Sequence, residues 1–342
     1  MASKRITSLE VAQHAGVSRT TVSLVLNDVP GAQISERTRK RVIQVAEELG
    51  YVPVAAARAL ASQRTHVIGL ILTRSPHHIA SDAFLTQILD SLVETSHQNG
   101  MRLMIDIVEE MHHRDVYLDL TRARSIDGII FSGPKFDDQA LHALEEDGFP
   151  TVLMGQLPGA SFYSVDIDNR AAAKLAVAHL IMLGHTRIAC ITNAPISYTA
   201  SADRLQGYRE AIESVGLQFD PRLVRYGNFD LESGYIQMKR LLELNPIPSA
   251  AFVASDVVAF GAMSAIRERG LSIPGDIALV GFDDVPFARY IDPPLTSVSL
   301  PAADLARVAC NLLFELIQEG QPPERNLLLG THLVVRKSCG AG

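Results

Sequence analysis

Residues 7–27 read TSLEVAQHAGVSRTTVSLVLN, and this stretch decides the fold at the N-terminal end of the chain. Thr7 and Glu10 have the spacing of a capping box, in which a hydroxyl and a carboxylate three residues later cap the first turn of a helix. Gly16 suits a tight turn between two helices, and Ser18 is an N-cap for the second of them. The stretch therefore predicts two short helices that are joined by a tight turn.

A third helix is predicted between Ser35, another N-cap residue, and Gly50, which suits a left-handed C-cap. Its apolar residues recur at helical spacing and are Val42, Val45, Ala46 and Leu49. Three successive short helices, the second with polar side chains at its start, are typical of a helix-turn-helix DNA-binding domain. A small helical bundle without that function is the alternative that the pattern leaves open.

The charge of the chain is divided unevenly along its length. Residues 1–64 hold nine Lys and Arg against five Asp and Glu, a net charge of +4, although the whole chain carries −7. The remaining residues hold 22 basic against 33 acidic side chains, a net charge of −11. A basic N-terminal segment on an acidic body indicates that only this segment meets a polyanion such as DNA.

The cysteines and the apolar runs indicate where the protein acts. Cys190, Cys310 and Cys339 are odd in number and widely spaced, which favours a reduced compartment without disulfides or a metal site. The apolar run around Ile68–Leu72 is far too short to span a bilayer, and no signal-peptide pattern follows the basic N-terminus. We therefore expect a cytoplasmic protein without a membrane span, a metal or a cofactor.

Two stretches of the N-terminal segment resemble the DNA-binding signature of the lac-repressor (LacI/GalR-type) family of transcriptional regulators. They read LEVA…AGVSRTTVSLVLN over residues 9–27 and ISERTR…AEELGYVP over residues 34–53. The resemblance implies a helix-turn-helix domain over residues 1–52 and double-stranded operator DNA as a partner. It also implies a homodimer, which reads a pseudo-palindromic operator because of its two-fold symmetry.

The same resemblance assigns roles to residues of the second helix. Arg19 and Thr20 at its start, and Leu24 one turn later, match positions that contact base edges in the major groove. A leucine makes only apolar contacts there, for example with a thymine methyl group, whereas relatives often have arginine or histidine. The positions that match phosphate contacts, which set the register on DNA, are Ser18, Thr21, Ser23 and Asn27.

Residues 53–64 connect this domain to the rest of the chain and include the alanine-rich run VAAARALAS at 54–62. The run has high helix propensity but is too short to be helical alone in water. An ordinary linker is one interpretation. The resemblance implies instead a hinge helix that folds on DNA, in which Leu60 matches a leucine inserted into a minor-groove step, with Ala57 beside it.

From Val67 onward, short apolar runs alternate with amphipathic helical stretches in two successive sets. This alternation predicts parallel sheets that are covered by helices on both faces. We therefore expect an α/β body, residues 65–342, of two doubly wound lobes whose strands end at a shared cleft. The expected lobe boundaries are about 65–163 and 296–324 for the first lobe, and about 164–295 and 325–338 for the second.

The body resembles the periplasmic-binding-protein-like core of the same regulator family, most specifically in GFDD at 281–284 and PPLT at 293–296. We expect residues 293–298 to return to the first lobe and residues 327–335 to complete the second. The resemblance implies a small-molecule effector. A mono- or oligosaccharide that releases the protein from DNA is the favoured interpretation, and a nucleobase or another small metabolite that acts as a corepressor is the alternative.

Ligand-binding residues are expected on both lobes. Arg204 matches an effector-binding arginine, whose forked donors suit paired hydroxyls, and Asp283 matches an acidic contact to sugar hydroxyls. Phe229 falls where an aromatic ring stacks on a sugar or base, although it could equally belong to the lobe core. The other expected contacts are Arg74, Asp82, Phe84, Ser255 and Asp256.

Two departures from the family pattern fall in the expected pocket. Ser255 stands where many relatives have asparagine, and Gly155 replaces an acidic residue that is frequent in relatives. Asp284 is expected to be structural, because neighbours on an extended chain point apart.

The sequence also bears on the class of protein. It contains no nucleophile elbow, P-loop, zinc-protease motif or dinucleotide-binding glycine motif, so no enzyme is expected. A periplasmic solute-binding protein would share the body but not the DNA-binding segment. We therefore expect a ligand-responsive transcriptional repressor.

Overall fold

The computed structural model describes residues 6–27, 31–52, 64–75, 78–79, 83–108, 116–123, 125–318 and 320–341. The chain divides into two compact units, residues 1–67 with 120–127 and residues 68–119 with 128–342. Among the helices in the described ranges, none has the length and apolar character needed to cross a membrane.

The head of the molecule consists of the helices α1 (Ser8–Ala15), α2 (Arg19–Leu26) and α3 (Glu36–Glu48). The predicted capping box is confirmed, because Thr7 N donates to Glu10 Oε2 at 2.8 Å and Glu10 N donates to Thr7 Oγ1 at 3.4 Å. Gly16 ends α1 in the left-handed conformation. The chain can therefore turn at once into α2.

The second and third helices of the head also begin where the sequence predicts. Ser18 accepts a hydrogen bond from Thr21 N, and Ser35 accepts one from Thr38 N. The three helices enclose a small apolar core made of Val11, Ala12, Ala15, Val22, Val25, Val42 and Ala46. Since burial of apolar area is the main stabilising contribution to folding, this cluster holds the three helices together.

The first lobe is built on a six-stranded sheet in the order β11-β5-β4-β3-β1-β2. Its strands are β1 (Val67–Leu72), β2 (Arg102–Ile107), β3 (Gly128–Ser132), β4 (Thr151–Met154), β5 (Tyr163–Ile167) and β11 (Asn326–Leu329). Its helices are α4 (Ala83–Gln98), α5 (Val116–Arg122), α6 (Gln139–Asp147) and α11 (Ala302–Ile317). Helix α11 packs on α4 and on the central strands β3 and β4.

The second lobe is built on a six-stranded sheet in the order β12-β10-β9-β8-β6-β7. Its strands are β6 (Ile188–Ile191), β7 (Val224–Arg225), β8 (Ala250–Val253), β9 (Ala278–Asp283), β10 (Thr296–Ser299) and β12 (His332–Val334). Its helices are α7 (Asn169–Met182), α8 (Thr199–Ser214), α9 (Leu231–Leu242) and α10 (Asp256–Glu268).

Both faces of the second sheet are covered by helix pairs, as the strand–helix alternation predicts. Along β8, Ala250 and Phe252 join the apolar cluster of α7 and α8, while Ala251 and Val253 join that of α9 and α10. Successive side chains of a strand point to opposite faces, so a strand buried on both sides is apolar throughout. This explains why β8 reads as an uninterrupted apolar run.

The structure corrects the predicted lobe membership of three strands. β5 extends the first sheet to Ile167, β10 lies in the second sheet beside β9, and β11 forms an edge of the first sheet beside β5. Side-chain bonds hold β10 in the second lobe, where Ser297 Oγ donates to Asp256 Oδ1 at 2.7 Å and Thr296 Oγ1 to Arg336 O at 3.1 Å. Along the described chain, the lobes are therefore connected after β5, after β10 and after β11.

Candidate DNA-binding surface and ligand cavity

Helix α2 presents the predicted base-reading residues on the side of the head that faces away from its core. Arg19 and Thr20 are exposed in the first turn, and Leu24 is half-buried one turn later. Val25 of the same helix is buried in the head core. The periodicity of the helix therefore separates its polar face from its packing face.

The residues predicted to contact phosphates are held by bonds within the helix. Thr21 Oγ1 lies 2.9 Å from Ser18 Oγ, and Asn27 Nδ2 donates to Ser23 Oγ at 3.1 Å. Asn27 Oδ1 is buried, and among the side chains of the described residues it has no hydrogen-bond partner. The contact of these four residues with phosphates stays a prediction.

A cavity lies where strands of both lobes have their carboxyl ends, as expected for doubly wound sheets. Six of the predicted ligand residues line it, namely Arg74, Phe84, Arg204, Phe229, Ser255 and Asp283. Three other predicted contacts, Ala57 and Leu60 to DNA and Asp82 to the ligand, lie outside the described residues. The cavity therefore brings together residues that are far apart in the sequence.

Arg204 is oriented at the cavity wall by fixed acceptors. Its Nε donates to Asn169 Oδ1 at 2.9 Å and its Nη1 donates to Ala254 O at 2.7 Å. The guanidinium carbon lies 3.7 Å from the ring centroid of Phe282, and Nη1 lies 3.7 Å from Asp283 Oδ1. Burial lowers the pKa of Arg204, while nearby carboxylates, above all Asp283, act in the opposite direction. A buried arginine held in this way is pre-oriented for a polar ligand.

The sequence predicts a ligand contact for Asp256, and the structure corrects that prediction. Asp256 is fully buried behind the cavity wall at 0% exposure. Its carboxylate accepts hydrogen bonds from Ser297 Oγ at 2.7 Å and from Val285 N at 2.9 Å. Burial, and then the neighbouring charge of Asp283, raise the pKa of Asp256. Asp256 therefore holds the segment after β9 in place.

The adjacent residues Asp283 and Asp284 have different partners, as the sequence predicts. Asp283 lines the cavity, whereas Asp284 Oδ1 accepts a hydrogen bond from Arg336 Nη2 at 2.6 Å. Both residues have positive φ, 107° and 51°, in the region that residues other than glycine rarely adopt. The chain thus turns sharply at the end of β9, which directs the two carboxylates apart.

An aromatic group forms one wall of the cavity and includes a residue that sequence reasoning missed. The ring of Phe229 lies 5.0 Å from that of Tyr198 in an edge-to-face arrangement, and Arg74 Cζ lies 4.5 Å from the Phe229 centroid. Tyr198 Oη donates to Thr73 O at 2.6 Å and so connects the two lobes. An aromatic residue in the loop after β6 is a signal that could have identified Tyr198.

Sequence reasoning also missed two polar residues of the cavity, Asn193 and Asp166. Asn193 follows β6, and its Oδ1 is buried without a hydrogen-bond partner among the described side chains. A buried amide oxygen without a partner is costly, so it is suited to accept a hydrogen bond from a ligand. Both residues lie at the carboxyl ends of strands, which is the positional signal that could have identified them.

Gly155 occupies a place where a side chain would collide with the ring of Pro134. Its φ is 125°, and a Cβ atom there would lie 2.6 Å from Pro134 Cδ. The acidic residue that is frequent in relatives is therefore excluded by Pro134 in this chain.

A helix-turn-helix head together with a two-lobed α/β core that carries a ligand cavity defines a ligand-responsive transcriptional regulator. Residues 7–54 match the model of the bacterial regulatory proteins, lacI family, and residues 177–339 match that of the periplasmic binding protein-like domain. The HTH-type transcriptional regulator CelR of Thermobifida fusca is 34% identical over 342 residues, which cover 99% of this chain and 100% of the relative. The chain therefore belongs to the lacI family of bacterial regulatory proteins.

Two solved structures support the same assignment. The lac repressor dimer bound to operator and the anti-inducer ONPF has a TM-score of 0.84 at 31% identity, covering 98% of this chain and 99% of that chain. The complex of the transcriptional regulator CelR with cellobiose has a TM-score of 0.75 at 33% identity, covering 98% and 100%. The predictions of the family, the fold class and a DNA-binding regulator are thus confirmed.

Proposed function

We propose that the protein is a cytoplasmic, homodimeric repressor that leaves a pseudo-palindromic operator when a sugar binds in the cavity between its lobes. The observation that carries this proposal is the set of donors and acceptors on the cavity wall. Arg204 supplies oriented donors, and Asp283 and Asn193 supply acceptors. Phe229 adds an apolar ring face, so the wall combines the groups that bind sugar hydroxyls and sugar rings.

Cellobiose is the appropriate first probe for this cavity. A relative that is 33% identical over nearly the whole chain was solved as a complex with cellobiose. Among the described residues that line the cavity, the cationic side chains Arg74 and Arg204 are matched in number by the carboxylates Asp166 and Asp283. Such a balance suits a neutral ligand with many hydroxyls. We propose that the sugar is bound without being converted, which analysis of cellobiose after prolonged incubation with the protein would test.

The proposed switch depends on contacts that connect the lobes. Tyr198 Oη donates to Thr73 O, and Phe136 N donates to Ser197 O at 3.0 Å. A ligand that touches both lobes favours one arrangement of them over another by its difference in affinity. We propose that this arrangement determines whether residues 53–64 form the paired hinge helix on DNA, with Leu60 and Ala57 in the minor groove.

On DNA, we propose that the residues of α2 divide the contacts as follows. Arg19, Thr20 and Leu24 read base edges in the major groove, and the apolar Leu24 favours a thymine methyl group over polar edges. The proposed contacts to phosphates, which position the helix without reading sequence, are Ser18, Thr21, Ser23 and Asn27.

The test begins with selection of duplexes from random double-stranded DNA by the full-length protein. Binding of a labelled selected duplex is then followed by fluorescence anisotropy at fixed ionic strength, because phosphate contacts make affinity depend on salt. We expect a pseudo-palindromic site, and we expect cellobiose to weaken its binding. Maltose, which differs from cellobiose only in its linkage, is the matched control, and hypoxanthine tests the corepressor alternative.

Two outcomes would contradict the proposal. Selection without any pseudo-palindromic enrichment would exclude a symmetric repressor. Tighter DNA binding with hypoxanthine, and no effect of any sugar, would favour corepression by a nucleobase.

A further inference from the structure

Asp166 is an acidic residue of β5 whose side chain is half-buried at the wall of the ligand cavity. Asn169 Nδ2 lies 3.1 Å from each of its carboxylate oxygens, and Ile167 N donates to Oδ1 at 2.8 Å. An ionised carboxylate accepts about four hydrogen bonds. Asp166 therefore retains the capacity to accept a further hydrogen bond from the cavity.

Asp166 is also connected to the oriented arginine of the cavity. The amide of Asn169 donates to Asp166 through Nδ2, while its Oδ1 accepts from Arg204 Nε at 2.9 Å. Asp166 belongs to the sheet of the first lobe, whereas Arg204 lies on α8 of the second lobe. The short network thus spans the connection from β5 to α7.

Charged groups of both signs surround Asp166. They are Arg204 and Asp203 from α8, Asp283 from β9, Arg74 from the loop after β1, and Asp168 at the N-cap of α7. Burial raises the pKa of Asp166 to about 6, although its hydrogen bonds and Arg204 act in the opposite direction. The carboxylate is therefore largely ionised at neutral pH and is neutralised by mild acid.

We propose that Asp166 is a further specificity-determining residue of the cavity, whose carboxylate accepts a hydrogen bond from a hydroxyl group of the effector. This inference rests on the sugar-responsive function proposed above. Asp166 on the first lobe and Asp283 on the second let one polyhydroxylated ligand donate to both lobes. Gly155 contributes no side chain to the cavity, and Asp166 supplies an acceptor on the first lobe. A ligand that offers only acceptors is disfavoured there.

The affinity for the effector consequently depends on pH with a defined sign. The ligand binds the ionised carboxylate, so affinity is greatest above the pKa of about 6 and falls as the pH drops through it. Between about pH 7.5 and pH 5 the ionised fraction of such a group falls about tenfold. We expect the association constant for cellobiose to fall by about the same factor.

Isothermal titration calorimetry of the full chain with cellobiose across this pH range tests the proposal. Asp166→Asn is expected to bind cellobiose about tenfold more weakly at pH 7.5, since a hydrogen bond to a charged group is lost, and to show a flat profile. Asp203→Asn is the matched control. Burial also raises the pKa of Asp203, but this residue does not line the cavity, so its variant keeps the wild-type affinity at pH 7.5. Its pH dependence should persist and move only slightly to lower pH, because the charge of Asp203 is the smallest of the causes that act on the pKa of Asp166.

A set of monodeoxy cellobioses separates a direct contact from a positioning effect through Asn169. One of these sugars lacks the hydroxyl group that donates to Asp166. We expect this sugar to bind the wild type weakly and to bind the Asp166→Asn variant with the same affinity. Thermal unfolding without sugar checks that the Asp166→Asn variant is folded. If it is not folded, the pH dependence of cellobiose binding by the wild type alone tests the inference.

The inference is overturned if Asp166→Asn binds cellobiose as tightly as wild type at pH 7.5, or keeps the wild-type pH dependence. A flat wild-type profile with measurable binding overturns the inference alone. If the wild type binds none of the tested sugars at any pH, the proposed function and this inference fail together.

Discussion

At the scale of single residues, two neighbouring carboxylates, one at the cavity and one behind its wall, have separate roles. Asp283 faces the cavity, and Asp256 lies behind it with two donors of its own, Ser297 Oγ and Val285 N. The family resemblance identified Asp283 but could not distinguish it from Asp256, because both are acidic residues at or just after the carboxyl end of a strand of the same sheet. Tyr198 and Asn193 escaped prediction because they lie in a loop, where no periodicity indicates which side chains face a ligand.

Replacement of Asp256 should therefore lower stability, whereas replacement of Asp283 should lower the affinity for the ligand. Asp256→Ala leaves two buried donors without an acceptor, so the free energy of unfolding should fall by about 1–3 kcal/mol. Asp283→Ala should instead weaken cellobiose binding about tenfold. Chemical denaturation and calorimetric titration of both variants measure the two effects. Equal effects of both variants on affinity would contradict the division.

A second prediction concerns Gly155. In Gly155→Ala the new methyl group meets Pro134, and the positive φ adds backbone strain. Gly159 is the matched control, because its φ is 86° but its Cβ position has no atom within 4 Å. We expect Gly159→Ala to lower the free energy of unfolding by about 1–2 kcal/mol from strain alone. Gly155→Ala should lower the free energy of unfolding by about 1–3 kcal/mol more than Gly159→Ala does. Equal losses in the two variants would show that contact with Pro134 does not destabilise Gly155→Ala.

At the scale of elements, the head and the lobes differ in how far their sequence predicts them. The caps Thr7, Ser18 and Ser35 and the apolar spacing of α1 to α3 are local signals, and they located all three helices of the head. The segments that hold β10 and β11 were assigned to the wrong lobes, and the predicted boundary at residue 163 cut off β5 from the first lobe. A strand of four residues carries little local information about its sheet, and the place of β10 depends on the distant partners Arg336 and Asp256.

The capping box of α1 provides a prediction at this scale. Thr7→Ala removes the side-chain acceptor of Glu10 N, so α1 should lose about 1 kcal/mol of stability. Hydrogen exchange of the α1 amides, expected to become about fivefold faster, measures this loss. Thr20→Ala, at an exposed position, should leave the exchange unchanged while weakening binding to the selected duplex. Unchanged exchange in Thr7→Ala would contradict the role of the cap.

At the scale of the whole ligand-binding core, the lobes share direct hydrogen bonds as well as the cavity. Tyr198→Phe removes the bond to Thr73 O but keeps the aromatic ring beside Phe229. The binding arrangement of the lobes should then be less populated, so the apparent affinity for cellobiose should fall about two- to tenfold. Tyr226→Phe, at a residue that is 49% exposed, is the control for loss of a hydroxyl. Unchanged affinity in Tyr198→Phe would show that this hydrogen bond does not contribute to the proposed switch.

The three connections between the lobes also affect how the protein responds to shortening of its chain. Neither lobe is formed by one continuous stretch of chain. No single fragment of the gene therefore encodes one complete lobe without parts of the other. The last two strands, β11 and β12, form one edge of each sheet. A frameshift or nonsense codon shortly after residue 318 would thus remove an edge strand from both lobes at once. Damage at the carboxyl end therefore reaches the whole sensor rather than one half of it.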